Sequence, residues 1–287
     1  MGEGGSPFEQ QVLWQARRVL GAAGYEMRLA TFRVGDSILP ALRDLTCDGL
    51  IVLPGPRREV LLELNRVRPS ATPTVVLDRI PEGLDLNAVA TDNSYGGALA
   101  AKHLIDLGHR HLAMVLAEPD VDARAARVAG FTYHAELAGV ASVEVIDCLA
   151  MAERRGTPIS DGTFGVAHTG IAQLLSERGR LGFTGIFADS DMGAIGIMKA
   201  LHQALIAMPQ DLSVIDFDDL PIVRFYHSSL TTISQDLGGW ISAALAMIEA
   251  RLGGHVGSAQ HVRVRPELVV RESTGVVPPT IAPGSTP

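Results

Sequence analysis

Short apolar runs alternate with amphipathic segments along this chain. Apolar side chains recur every three or four residues over residues 8–23, 60–67 and 99–107, and this spacing places them on one face of a helix. The intervening runs have the length of buried strands: residues 27–31, 49–53, 74–77, 88–90, 111–116, 143–146, 185–188 and 213–217. The alternation of helices with such strands predicts an α/β fold wound around parallel sheets.

The two ends of the sequence depart from this alternation. Residues 1–6 read MGEGGS, and this glycine-rich stretch has no apolar run that could form a buried strand. We therefore expect the sheet to lack the strand that normally opens a βα series. Residues 276–287 contain four prolines and no charge, and we predict that they form a disordered tail.

The composition supplies enough apolar material for a large core. Of the 287 residues, 47% are hydrophobic and 20% are charged. One core rarely serves a doubly wound sheet of this size, so two lobes are expected. No run reaches the ~18 apolar residues that a membrane span needs, and the first residues lack the basic and apolar regions of a signal peptide. The sequence thus predicts a cytoplasmic protein with no membrane partner.

The charge and the cysteines exclude other classes. The net charge is −8 at pH 7, whereas a nucleic-acid-binding domain normally has a basic face, so these residues alone are predicted to bind DNA poorly. Cys47 and Cys148 are the only cysteines, and their separation fits no zinc pattern. We interpret them as reduced thiols, and neither a metal nor a cofactor is predicted.

Eight segments of the chain carry recognisable motifs, among them DGLI, LGHR, RVAGF, SVIDFDD and RPELVVREST. The full set comprises residues 6–25, 42–55, 91–115, 127–131, 189–196, 208–219, 230–236 and 265–274. In this order they resemble the effector-binding core of the lactose-repressor/galactose-repressor (LacI/GalR) family of transcriptional regulators. Each segment is weak by itself, but their order and spacing cover nearly the whole chain.

The resemblance implies a type I periplasmic-binding-protein-like fold with two Rossmann-like lobes and three crossover connections. The expected first lobe contains residues 7–91 and 237–260, and the second contains residues 92–236 and 261–275. It also implies a homodimer that holds a small effector, usually a sugar or nucleoside, in the cleft. The helix-turn-helix and hinge helix of the family have no counterpart in this sequence. We therefore predict effector binding here and operator DNA binding only through that absent domain.

The resemblance also assigns ligand contacts. Arg127 matches the family's arginine that forks onto ligand hydroxyls, which suits a planar guanidinium. Asp218 follows the strand SVIDF and matches the family's hydroxyl-binding aspartate, at the strand end where open parallel sheets bind ligands. A surface ion pair for Arg127 and turn stabilisation for Asp218 are the alternative roles.

Further residues match family positions that reach the ligand: Asp78, Gln235, Ser190, Asp191, Phe8 and Phe164. Helix N-capping is the alternative role for Ser190 and Asp191, and core packing is the alternative for the phenylalanines. The family usually has Asn at position 190 and Gly at position 216, where this chain has Ser190 and Asp216. An acid at position 216 adds negative charge to the expected cleft.

Enzymatic functions remain as alternatives. Residues 35–38 read GDSI and resemble the nucleophile block of GDSL-type esterases, although the Asp-x-x-His pair that activates such a serine is missing near the carboxyl end. Several aspartates follow two strands, and clustered carboxylates can ligate Mg²⁺ or Ca²⁺ in a metal-dependent enzyme. The aspartates concerned are Asp189, Asp191, Asp216, Asp218 and Asp219.

A secreted solute-binding protein is a third alternative. Such proteins share the two-lobed fold with the regulators. The lack of a signal peptide and the RPELVVREST ending favour the regulator.

Overall fold

The computed structural model describes residues 6–32, 36–43, 45–53, 58–67, 72–117, 122–156 and 162–277. The helices are α1 (Pro7–Ala22), α2 (Leu39–Arg43), α3 (Arg58–Val67), α4 (Asn93–Asp106), α5 (Asp122–Leu137), α6 (Cys148–Arg155), α7 (Gly162–Arg178), α8 (Asp191–Gln203) and α9 (Leu237–Leu252), with a 3-10 turn at Pro221–Arg224. The strands are β1 (Leu50–Val52), β2 (Thr74–Leu77), β3 (Asn87–Thr91), β4 (His111–Leu116), β5 (Ser142–Asp147), β6 (Gly185–Ala188), β7 (Ser213–Asp218), β8 (Thr231–Ser234), β9 (His261–Val264) and β10 (Glu267–Val269).

These elements form two compact units. The described residues up to Asp92 form the first unit together with Asp236–Arg265, and Asn93–Gln235 form the second unit together with the residues from Pro266 onward. The chain therefore passes from one unit to the other three times. Each unit contains a largely parallel sheet with helices, so the predicted α/β fold class is confirmed.

The first unit is built on a parallel sheet in the order β1-β2-β3-β9. Val12 of α1 and Trp240 of α9 pack against one face, and Leu61 of α3 packs against the other. Along β2, Val75 joins the first cluster and Val76 joins the second, because successive strand residues point to opposite faces. The first unit is therefore a sheet covered by helices on both faces.

The boundary of the first unit differs from the predicted one. Residues 261–265 were expected in the second lobe, but β9 pairs with β3, with His261 opposite Ala88 and Val264 opposite Thr91. This parallel ladder attaches the segment to the first sheet. The HVRV run at His261–Val264 alternates between exposed and half-buried residues. Because it has only four residues, its sequence pattern does not show which sheet it joins.

The prediction of a strand at residues 27–31 is wrong. These residues form no ladder in the described part of the chain, and Leu29 is 59% exposed. A strand is stable only beside a partner that accepts and donates its backbone hydrogen bonds. Residues 1–5, where we expected the opening strand to be missing, lie outside the described residues.

The second unit has a six-stranded sheet in the order β10-β8-β7-β6-β4-β5. Its pairs are parallel except β10 with β8. Ala113 of β4 faces the cluster that contains α7 and α8 residues, and Met114 faces the cluster that contains α4 and α5 residues. The carboxyl ends of β4, β6 and β7 meet at one edge of this sheet, where polar side chains collect.

Two glycines set the contact between α4 and α5 at this edge. A Cβ atom at Gly97 would overlap the Arg127 carbonyl oxygen, and one at Gly130 would overlap the Ser94 carbonyl oxygen. The two helix backbones therefore touch. This close approach brings Arg127 on α5 beside the beginning of α4.

The remaining predictions concern the tail, the thiols and the membrane. Val277 donates its backbone N–H to the Leu107 carbonyl at 3.0 Å, and residues 278–287 of the predicted disordered tail lie outside the described residues. Both cysteines are free, and burial raises the pKa of the Cys148 thiol to about 12. No described helix combines the length and the hydropathy needed to cross a membrane.

Candidate functional site

Arg127 is the centre of a polar cluster in the second unit. It lies on α5 and is 5% exposed. Its Nε donates to Asn93 Oδ1 at 2.8 Å, and its Nη1 donates to the Asp189 carbonyl oxygen at 2.5 Å. Its Nη2 lies 3.8 Å from Asp218 Oδ1. The guanidinium is therefore held from three sides by α4, the end of β6 and the end of β7.

An aromatic ring fixes the plane of this guanidinium. The Arg127 guanidinium carbon lies 3.6 Å from the centroid of the Phe217 ring. A guanidinium stacks on an aromatic face with both dispersion and cation–π attraction. The stack and the hydrogen bonds together leave Arg127 little rotational freedom, which is the preorganisation a ligand-binding arginine needs.

Asp218 and Gln235 form one hydrogen-bonded pair. The Gln235 amide donates from Nε2 to Asp218 Oδ1 at 2.7 Å. Asp218 ends β7 with φ of 118°, and Asp219 follows with φ of 62°. Arg127, Asp218 and Gln235, which the sequence singled out separately, are therefore brought together in the second unit.

Asp219 anchors the turn that carries Asp218. Its Oδ1 accepts from Arg271 at 2.5 Å, and its Oδ2 accepts from Arg224 and Ser234, each at 3.1 Å. Two consecutive non-glycine residues with positive φ are strained by about 1–3 kcal/mol each. The hydrogen bonds and ion pairs of Asp219 offset this strain.

Ser190 and Asp191 begin α8 at the end of β6. The Ser190 hydroxyl caps the helix by accepting from the Gly193 N–H at 3.3 Å. Asp191 Oδ2 accepts from the Leu220 N–H at 2.5 Å, and the residue has no exposed surface. The capping role expected as an alternative for Ser190 is therefore present, while Asp191 connects α8 to the turn after β7.

Asp189 and Arg124 form a largely buried ion pair that was not among the predicted ligand contacts. Asp189 Oδ2 accepts from Arg124 Nε at 3.0 Å and from the Ala117 N–H at 3.1 Å. Burial raises the pKa of the Asp189 carboxyl, and the positive charge of Arg124 opposes that rise. Burial likewise lowers the pKa of Arg124. The pair ties α5 to the ends of β4 and β6.

Three further predicted ligand contacts have partners in their own units. Phe8, in the first unit, packs edge-on against Trp240 with ring centroids 6.2 Å apart. Asp78, also in the first unit, follows β2 with φ of 66° and donates its backbone N–H to the Val89 carbonyl at 2.8 Å. Phe164, in the second unit, stacks on His168 at 6.5 Å.

The GDSI segment has a structural role in the described residues. Ser37 Oγ donates to Glu63 Oε1 at 2.6 Å and accepts from the Leu39 N–H at 3.1 Å. The Ile38 N–H donates to the same carboxylate at 2.9 Å. A carboxylate, not a histidine, is the partner of Ser37, so the serine is not activated as an esterase nucleophile would be. Gly35 lies outside the described residues.

The aspartates that suggested a metal are mostly engaged by protein groups. Asp189 pairs with Arg124, and Asp219 pairs with Arg224 and Arg271. Across the described ranges, no group of three or more His, Cys, Asp or Glu side chains has an arrangement that could hold a metal ion. The negative charge at this edge is therefore balanced chiefly by guanidinium groups.

The family model of the periplasmic binding protein-like domain matches residues 101–274. Among curated proteins, the chain is similar to the HTH-type transcriptional regulator MalR of Streptomyces coelicolor, with 26% identity over 279 residues, which is 95% of this chain and 77% of that protein.

Solved structures of LacI-type regulators are also similar to this chain. The chain is similar to a LacI transcriptional regulator from a Rhodococcus species, with a TM-score of 0.78, 28% identity and coverage of 95% of this chain and 96% of that chain. It also shares the fold of a LacI family regulator from Enterococcus faecium that was solved with bound ribose, with a TM-score of 0.74, 22% identity and coverage of 95% and 96%.

Proposed function

Since the chain belongs to the periplasmic binding protein-like domain family and is the effector-binding core of a LacI-type regulator, we propose that it binds a small neutral sugar. The observation that carries this proposal is the fixed Arg127 guanidinium, which is stacked on Phe217 and lies 3.8 Å from Asp218. A planar donor beside a carboxylate acceptor matches the paired hydroxyls of a sugar, which both donate and accept hydrogen bonds.

The charge balance favours a neutral ligand over an anionic one. Arg127 is already partnered by Asn93 and by the Asp189 carbonyl oxygen, and Asp218 is its nearest acid. A phosphate at Arg127 would also approach Asp218, whose negative charge repels an anion. A polyol adds no charge to the cluster and has donors for Asp218.

The other predicted ligand contacts enter the proposal with distinct roles. Gln235 holds Asp218 through its 2.7 Å hydrogen bond, so it orients the acceptor. Ser190 offers a hydroxyl at the beginning of α8, where it caps the helix. Asp78, Phe8 and Phe164 remain proposals that a ligand-bound structure would test.

The regulatory context is proposed from the relatives. We place the protein in the cytoplasm as a homodimer whose operator contacts are made by a helix-turn-helix domain outside these 287 residues. Effector binding would shift the population of conformations and thereby DNA affinity. Neither catalytic turnover nor a cofactor is required for this function.

A thermal-shift screen tests the proposal directly. D-ribose, other neutral sugars, sugar phosphates and nucleosides are added to the purified protein, and a ligand at 100 times its dissociation constant adds about 2.7 kcal/mol of apparent stability. A neutral sugar should raise the melting temperature of wild type and of the Arg155→Ala control, whose arginine pairs with Glu177 at the surface. It should not do so for Arg127→Ala. An equal shift in Arg127→Ala would place the ligand elsewhere, and the absence of any shift would reject a sugar effector.

A further inference from the structure

Asp216 is a buried acid at a position where the LacI/GalR family, which this chain resembles, usually has glycine. It lies on β7 two residues before Asp218, and it has no exposed surface. In the parallel ladder, Asp216 pairs with Thr232 of β8, so the two side chains share one face of the sheet. Asp191 of α8, also without exposed surface, interacts with Asp216 on that face.

Four buried oxygens of these three side chains have no well-directed hydrogen-bond partner among the described residues. Neither carboxylate oxygen of Asp216 makes a well-directed hydrogen bond to another described residue, and the same holds for Asp191 Oδ1 and Thr232 Oγ1. The second oxygen of Asp191 accepts from the Leu220 N–H at 2.5 Å. Buried acceptors without donors are rare because each costs free energy. The Thr232 hydroxyl has a single O–H to donate and can serve only one of these oxygens, so the two carboxyl groups still need a donor between them.

A proton meets this need. Two adjacent carboxylates in a buried space cannot both be ionised without strong repulsion. Burial raises the pKa of Asp216 to about 7, and the neighbouring Thr232 and Asp191 groups oppose part of that rise. Burial and the charge of Asp216 raise the pKa of Asp191 well above its ordinary value.

The charged groups around the pair act in the same direction. Asp218 raises the pKa of both acids, and Asp219 raises that of Asp216. The nearby guanidinium groups engage other acceptors, since Arg127 faces Asp218 and Arg271 pairs with Asp219. The Leu220 N–H is the backbone donor that stabilises the ionised form of Asp191.

We propose that Asp191 and Asp216 share one proton at neutral pH, and that this makes Asp216 a positioning residue for the turn from Asp218 to Leu220. The protonated carboxyl donates to the ionised one, and the ionised Asp191 oxygen keeps the Leu220 N–H. Loss of the shared proton puts a second charge into the buried space and pushes the carboxyls apart. The turn that presents Asp218 then loses its connection to α8. The consequence for effector affinity rests on the function proposed above.

The Leu220 backbone amide reports on the shared proton without any ligand. In ¹⁵N-labelled protein, its chemical shift should titrate above neutral pH, as the shared proton is lost, because the pKa values of both acids are raised. Asp216→Asn supplies a permanently neutral donor, so its Leu220 amide should stay at the low-pH position. Asp211→Asn is the matched control, because Asp211 also accepts a backbone N–H, from Ala207, but at the surface. It should leave the titration of Leu220 unchanged.

Three results would overturn the proposal. The Leu220 amide could fail to titrate in wild type, or it could titrate in Asp216→Asn as it does in wild type. Addition of MgCl₂ or CaCl₂ at constant pH could also shift this amide in wild type but not in Asp216→Asn, which would put a cation in place of the proton. If Asp216→Asn does not fold, Asp216→Gly removes the second carboxyl with the residue that the resembling family uses, and it should abolish the titration as well.

Ligand binding separates this inference from the proposed function. The dissociation constant for D-ribose, measured by calorimetry, should rise by up to about tenfold per pH unit above the midpoint in wild type. It should stay constant in Asp216→Asn. If the Leu220 amide titrates but ribose does not bind at any pH, the shared proton is supported and a ribose effector is rejected. Ribose affinity that is independent of pH while Leu220 titrates would overturn the positioning role.

Discussion

The Arg127 guanidinium stacks on Phe217, with 3.6 Å between the guanidinium carbon and the ring centroid, although the next residue, Asp218, also faces the same arginine. Adjacent residues of a regular strand point to opposite faces. Here β7 ends at Asp218 with φ of 118°, so the backbone leaves extended geometry and the carboxyl turns to within 3.8 Å of Nη2. One strand end thus supplies both the aromatic face and the acid for a single guanidinium.

Arg127→Lys tests whether the planar fork matters beyond its charge. Lysine keeps the positive charge but loses the stack on Phe217 and cannot bond Asn93 and the Asp189 carbonyl oxygen together. Loss of a charge-assisted hydrogen bond costs about 1.5–3 kcal/mol, or roughly 10- to 100-fold in affinity. Calorimetry with the sugar found in the thermal-shift screen should show this loss. The surface variant Arg155→Lys should bind the sugar as tightly as wild type does. Full affinity in Arg127→Lys would show that only the positive charge at position 127 contributes to binding.

Gly130→Ala should displace the helix that carries Arg127. An added methyl group at this position would overlap the Ser94 carbonyl oxygen of α4, and overpacking typically costs about 1–3 kcal/mol. Urea denaturation should therefore show a lower free energy of unfolding, with weaker effector binding at equal concentrations of folded protein. Gly21→Ala is the matched control, since nothing lies within 4 Å of a Cβ there. Alanine in that helix should stabilise by about 0.5–1 kcal/mol. An unchanged Gly130→Ala protein would show that α4 and α5 have room to move.

The sequence pattern correctly located elements that a continuous run of apolar residues marks by itself. The TVVL run at residues 74–77 coincides with β2, and all four residues are buried. The MRLAT run at residues 27–31 has a similar pattern but forms no ladder, because a strand depends on a partner that periodicity does not reveal. The placement of β9 depended in the same way on a pairing between residues that are distant in sequence.

The same distinction between local patterns and long-range contacts applies to the candidate site. Arg127, Asp218 and Gln235 could be found because short motifs carry them. Asn93 lies 34 residues before Arg127, and Asp189 lies 62 residues after it, so their contacts follow from the packing of α4 on α5 and of α5 on β6. Asp189 directly follows a predicted strand and was considered only as a metal ligand. Asn93 precedes the helical pattern at residues 99–107, so periodicity did not indicate it.

Ser37→Ala tests the esterase alternative. Ser37 lies two residues before α2 and its hydroxyl bonds Glu63 and the Leu39 N–H, so its loss removes local hydrogen bonds and should lower stability by about 1 kcal/mol. Ser258, which is exposed in the first unit, offers a control whose change to alanine should alter stability by less than about 0.5 kcal/mol. Hydrolysis of p-nitrophenyl acetate should be the same in wild type and both variants. Hydrolysis that disappears only in Ser37→Ala would establish an activated serine and reject our assignment.

His109→Ala should destabilise the second unit. His109 is fully buried, and the Gly275 carbonyl can only accept, so Nε2 carries the proton and donates to it at 3.0 Å. Nδ1 then accepts from the Thr184 hydroxyl at 2.8 Å. Removal of the ring leaves buried polar groups without partners, at about 1–3 kcal/mol each. Denaturation in urea at pH 7.5 should show this loss, and His255→Ala at the exposed surface should not. Equal stability of the two variants would mean that the ring contributes little.

The same histidine should make stability fall in mild acid. Burial lowers the pKa of His109, Arg110 lowers it further, and the Gly275 carbonyl opposes the shift. Below the unfolded value of about 6.5, the unfolded chain takes up a proton that the folded ring does not accept. The free energy of unfolding should therefore decrease as the pH falls from 6.5 toward the lowered folded pKa. His109→Gln has no titrating ring, so between pH 7.5 and 5.5 it should lose less stability than wild type. Burial also lowers the pKa of His103, and the charge of His109 lowers it further. Replacing His109 therefore relieves part of the His103 shift as well, which acts in the same direction in the comparison. A pH dependence that is identical in wild type and His109→Gln would show that His109 takes up its proton in the folded state as readily as in the unfolded chain.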